Sequence, residues 1–99
     1  MAEIELDDEF YSNVDEFIRL ANNLAMVIGD EKLAAVFNFA ASRYSAYLVA
    51  SSSQNQNELL QLREEALDYF CPIYKSNLDR NLEHYERNYE KFISKHRNT

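Results

Sequence analysis

Apolar and polar positions alternate with a helical period along almost the whole chain. From Phe10 the apolar residues fall at Val14, Phe17, Ala21, Leu24 and Ile28, at spacings of 4, 3, 4, 3 and 4. That spacing puts them on one face of an amphipathic helix. Asp7 or Asp8 can cap its start by accepting a bond from a free amide of the first turn. The acids at 7, 8 and 9 suit the positive end of the helix dipole. Gly29 follows the last apolar position directly and is the only glycine. A left-handed residue is expected there, since only glycine adopts that backbone at little cost. Asp30 is then placed to cap a second helix. The two helices should form a short antiparallel hairpin with arms about 30 Å long.

The second helix, Leu33 to Ser53, is the element around which the chain is organised. Between Lys32 and Glu58 its only charged residue is Arg43. Alanines at 34, 35, 40, 41, 46 and 50 favour helix and allow close neighbours. Leu33, Phe37, Ala40, Tyr44 and Tyr47 form its main stripe, and Phe17, Phe37 and Tyr44 are expected in one core. The helix ends within the polar run SSSQNQN at 51–57, which reads as a loop because such side chains compete with helix through local bonds, although the alanines before it could carry the helix into the serines. Asn55 or Asn57 caps a third helix. Its apolar positions are Leu59, Leu62, Ala66, Tyr69 and Ile73, with Leu60, Leu67, Phe70 and Tyr74 on an adjoining line.

Pro72 interrupts this third stripe. It lacks an amide and clashes with the carbonyl of Asp68. Either the helix kinks and continues to about residue 93, or it breaks and a new helix starts near Pro72. No turn residues flank the proline, which favours the kink. Beyond it the pattern remains helical through Leu78, Leu82, Tyr85, Tyr89 and Phe92, and the tail SKHRNT is expected to fray. No repeat, linker or strand pattern is visible. The expected fold is all-α: one domain over residues 1–99, an antiparallel up-down bundle of three long helices, the third kinked or split at Pro72.

Charge and composition narrow the functional classes. The chain has 99 residues and a formal charge of -7. An acidic balance argues against nucleic acid and anionic membrane as partners, since both need a basic footprint. Residues 1–31 carry nine acids and only Arg19 as a base, whereas residues 72–99 carry four acids and six bases. That asymmetry could orient a dimer. Cys71 is the only cysteine, so no internal disulfide forms and a reducing compartment fits. No basic leader and no long apolar run are present, and a cytoplasmic protein is expected.

The runs FYSNVDEFIRLAN, FNFAASRYSAYLVASS, ELLQLREEALDYF and NLEHYERNYEKF together resemble a small, uncharacterised, mainly proteobacterial family carrying only a domain-of-unknown-function label. Its members are about 80–100 residues long, the size of one small domain. The resemblance covers residues 9–92. Phe10 and Tyr11, Arg43 and Tyr44, and Tyr69 and Phe70 match aromatic or arginine–aromatic positions of that family. Many of its members lack a proline at position 72. The resemblance implies a fold-sized bacterial unit and supplies no chemistry.

Arg43 is the most conspicuous candidate residue. A permanent charge on an uncharged helix must reach water or a carboxylate. Asp15, Glu16, Glu64, Glu65 and Asp68 are the possible partners in a half-buried ion pair. The functional alternative is an anion or carboxylate clamp for a small ligand or peptide, with Tyr44 and Asn38 as further candidates, and the third reading is plain snorkelling past the tyrosines. Tyr85, Tyr89 and Phe92 form an aromatic face on a polar segment and are the interface candidates. Cys71 would be reactive only if a helix began at Pro72, close to a positive helix end. His84 and His96 sit in no Glu-x-x-His motif, so no metal site is expected, nor any cofactor. The glycine-rich phosphate loops cannot be built from one glycine. No enzymatic activity is expected. The reading is a structural or protein-interaction module, self-associating as a homodimer or binding an unidentified protein. The alternative is a small-ligand or enzyme-accessory domain with a pocket around Arg43 and the tyrosines.

Overall fold

A computed structural model describes residues 4–94. They form α1 (Asp8–Ile28), α2 (Asp30–Ser52) and α3 (Gln56–Arg87), followed by a π-helical turn, Glu90–Ser94. No strand occurs among the described residues. The protein is all-α.

The helix ends follow from local chemistry. The carboxylate of Asp7 accepts a hydrogen bond from the Phe10 amide at 2.9 Å and so caps α1. The side chain of Asn55 does the same for the Glu58 amide at 2.8 Å and caps α3. Each satisfies a first-turn amide that has no partner inside its helix. Gly29 alone joins α1 to α2. Its φ is 89° and its ψ 155°, and its amide donates to the Ala25 carbonyl at 2.8 Å. The positive φ is the one expected. The ψ is not that of a left-handed helical residue but of an extended region open essentially to glycine alone. Asp30 does not cap α2 but is its first residue, and the Gly29 carbonyl accepts from the Leu33 amide.

The serine run is partly helical. α2 continues to Ser52, and the hydroxyls of Ser51, Ser52 and Ser53 donate to the carbonyls of Leu48, Val49 and Ala50. These bonds satisfy carbonyls that a helix end otherwise leaves open. The loop is therefore only residues 53–55. α3 runs through Pro72 without a break, so the split does not occur. Cys71 consequently lies in mid-helix and not at a helix start. The tail beyond Ser94 lies outside the described residues.

The chain divides into two compact units, one up to Ala46 and one from Tyr47, with the boundary inside α2. In the first unit α1 and α2 are joined by a single residue and fold back on one another. Ala21, eight residues before the turn, is buried, and Phe10, Ala25, Ile28, Leu33, Phe37 and Ser45 are half-buried. Phe17 and Tyr44, expected in the core beside Phe37, are instead 62% and 71% exposed. On the part of α2 within this unit the half-buried positions are 33, 37 and 45, in steps of four or eight. Each four-residue step turns about 40° past a full turn, and this drift carries the contact from Phe37 to Ser45 and leaves Tyr44 aside.

In the second unit the half-buried line is Val49, Ser53, Leu59, Leu62, Ala66 and Phe70. The Tyr69 and Phe70 rings meet edge to face at 5.0 Å. From Cys71 to Arg87 every residue of α3 is exposed.

Candidate interaction surface

The site residues named from sequence fall in two places. Asn38, Arg43 and Tyr44 lie on α2 within the first unit, and all three are exposed. The guanidinium carbon of Arg43 stands 5.1 Å from the centroid of the Phe39 ring, a cation over an aromatic face. Within its unit, Arg43 pairs with neither Asp15 nor Glu16 among the described residues. Ala35, Val36, Phe39, Ala40 and Arg43 line a shallow, open concavity on α2. Apart from the guanidinium, its walls are hydrocarbon. Ligand sites normally bring several polar groups together in a closed cleft, and this concavity does neither.

Phe39 was absent from the candidates, although its place four residues before Arg43 puts it one turn away on the same face. Its neighbour Phe37 sits on the half-buried line instead, so the two phenylalanines of the FNF run face opposite ways. Ser42 turns its hydroxyl back to the Phe39 carbonyl, at 2.7 Å.

Tyr85, Tyr89 and Phe92 lie in the second unit. Tyr85 and Phe92 meet edge to face at 5.8 Å, and His84 approaches both rings, at 6.0 and 5.5 Å. The turn at Asn88 and the π-helical Glu90–Ser94 segment return Phe92 over His84. Lys91 covers the outer face of Phe92 at 5.3 Å. Tyr89 is exposed and lies outside this group of three rings. His84 was missed from sequence because a regular α-helix would put it on a different side from Phe92. Arg87 and Glu83 pair at 2.6 Å, both exposed, a type of contact worth little in water.

Among the described residues no group of three His, Cys, Asp or Glu side chains is placed to hold a metal ion. No helix among them is long and apolar enough to cross a membrane.

An all-α chain with caps, a one-glycine hairpin and wide exposed apolar faces defines the class. A family model described as "Protein of unknown function (DUF3144)" matches residues 10–86, and the chain belongs to that family. The match extends across both compact units. No curated protein and no solved structure matches the chain.

Proposed function

We propose that the protein is a structural or protein-interaction module that works as a homodimer. One observation carries this reading: Ala21 is the only buried apolar residue among those described, while large apolar side chains are exposed on every helix. Burial of apolar surface contributes about 25 cal/mol per Å², and large contiguous patches are rarely left bare on a monomer. A second copy is the simplest cover, because closed two-fold dimers are the commonest assembly. Tyr85, Tyr89 and Phe92 offer a further surface for a second copy or for an unidentified protein partner. The proposal includes a cytoplasmic, bacterial setting, an antiparallel up-down helical bundle with α3 bent at Pro72, and no enzymatic activity. Nucleic acid and membrane are not proposed as partners.

The alternative, a small-ligand site around Arg43 with Asn38 and Tyr44, draws support from the concavity beside Phe39. It is the weaker reading, since a lone guanidinium over an open apolar floor holds an anion poorly against water. Thermal unfolding across a hundredfold range of protein concentration tests the proposal. A midpoint that rises with concentration is expected of a dimer. A midpoint that stays constant would refute it.

A further inference from the structure

The first unit exposes apolar side chains on both flanks of its helix contact, and one flank is edged by charges of opposite sign. At about 100° per residue, Phe17, Leu20, Leu24 and Val27 form a line on α1, at spacings of 3, 4 and 3. This line lies roughly 80° to one side of the half-buried line through Phe10, Ala21 and Ile28. Leu20 is 64% exposed and Val27 80%. On α2, Val36, Ala40 and Arg43 lie a similar angle to one side of Leu33 and Phe37, with Phe39 beyond them. Because α2 runs back along α1, both displacements fall on the same side of the hairpin. Phe17, Leu20, Leu24, Val27 and Val36 thus lie on one side of the hairpin, with Phe39 turned further outward.

Charge borders this face unequally. Glu9 and Glu16 lie along the outer edge of α1, while Lys32 and Arg43 lie on the outer part of α2. Glu16 stands thirteen residues before Gly29 and Arg43 fourteen after it. Both are therefore about 20 Å from the turn, at the same level along the hairpin. Inside one copy they are exposed and, among the described residues, unpaired.

We propose that a second copy of this chain covers the face, with the two-fold axis parallel to the helices. That rotation lays α1 of each copy along α2 of the other and keeps the two turns at one end. It brings each Glu16 opposite the other copy's Arg43, so that one contact is made twice. The opposite edges carry opposite charges, so the pairing complements itself across the axis. This inference rests on the homodimer proposed above and names the surface that forms it. The rings of Tyr85 and Phe92, already packed on His84, are not needed for it.

A charge exchange tests it. Sedimentation velocity at micromolar concentration is run on the wild type, on Glu16→Arg and on Arg43→Glu, with helicity checked by circular dichroism. Both substitutions are at exposed positions, so folding should survive them. Each variant alone faces like charges twice, and its dimerisation should weaken tenfold or more. An equimolar mixture should restore dimers, because only the mixed pair has both contacts complementary. A wild-type dimer unaffected by either substitution, or single variants that stay unpaired on mixing, would overturn the surface and leave the homodimer standing. A monomeric wild type would overturn both. Tyr85→Ala combined with Phe92→Ala should leave the dimer intact, and its loss in that variant would likewise overturn the surface.

Discussion

The guanidinium of Arg43 lies over the ring of Phe39, one turn earlier on α2, at 5.1 Å from its centroid. Breaking a buried ion pair by removing one partner costs about 3–5 kcal/mol. An exposed cation–π contact contributes about 0.5–1 kcal/mol. Arg43→Met keeps most of the stem and removes the charge. In urea unfolding at high dilution it should therefore cost less than about 1 kcal/mol. A loss near 3 kcal/mol would mean that Arg43 is paired and buried.

Gly29 holds a φ of 89° and a ψ of 155°. An added Cβ would meet no atom within 4 Å, so the obstacle to a side chain is backbone conformation alone. Gly29→Ala should destabilise by about 1–3 kcal/mol. The urea midpoint should fall with no change in the slope of the transition. An unchanged midpoint would contradict the conformation assigned to this residue.

Pro72 lies inside α3 on an exposed stretch. Alanine there would restore an amide for the Asp68 carbonyl and remove the ring clash, against a loss of about 0.4–1 kcal/mol from a freer unfolded chain. Pro72→Ala should therefore stabilise by about 2–2.5 kcal/mol, read as a higher urea midpoint. A lower midpoint would show that the proline supports a bend on which packing depends.

Phe17 and Phe37 should now separate. Phe37 is half-buried and Phe17 is 62% exposed. In dilute solution Phe37→Ala should cost at least about 2 kcal/mol and Phe17→Ala less than about 1. At concentrations where the dimer forms, Phe17→Ala should become the more harmful of the two to association. Equal losses at high dilution would contradict the exposure assigned to Phe17.

The helices themselves were legible in the sequence because caps and periodicity are local. Asp7, Gly29 and Asn55 each act within four residues, and the bonds they make are those their positions predict. The faces were less legible. The α1 stripe through Phe17 and the α2 stripe through Tyr44 follow a strict 3–4 alternation. Phe10, Ala21, Ile28, Leu33 and Phe37 of those stripes are buried or half-buried, whereas Phe17 and Tyr44 are exposed, and Ala25 and Ser45 off the stripes are half-buried. Periodicity gives the average direction of a face, so it could not tell which residues at its margins, such as Phe17 and Tyr44, fall outside the contact. The second helix ends at Ser52, inside the polar run where its end is expected, and the serine hydroxyls close that end. For the site, sequence singled out Arg43 but not Phe39, and Tyr85 with Phe92 but not His84. Both omissions depend on which face a residue occupies, and for His84 on an irregular turn at Asn88 that no local pattern signals.

Sedimentation equilibrium on the wild-type protein at micromolar concentration tests the central claim most directly. Exposed apolar faces covered by a second copy predict a mass of about twice the 11.6 kDa of one chain. A mass that stays at 11.6 kDa throughout that range would contradict the account.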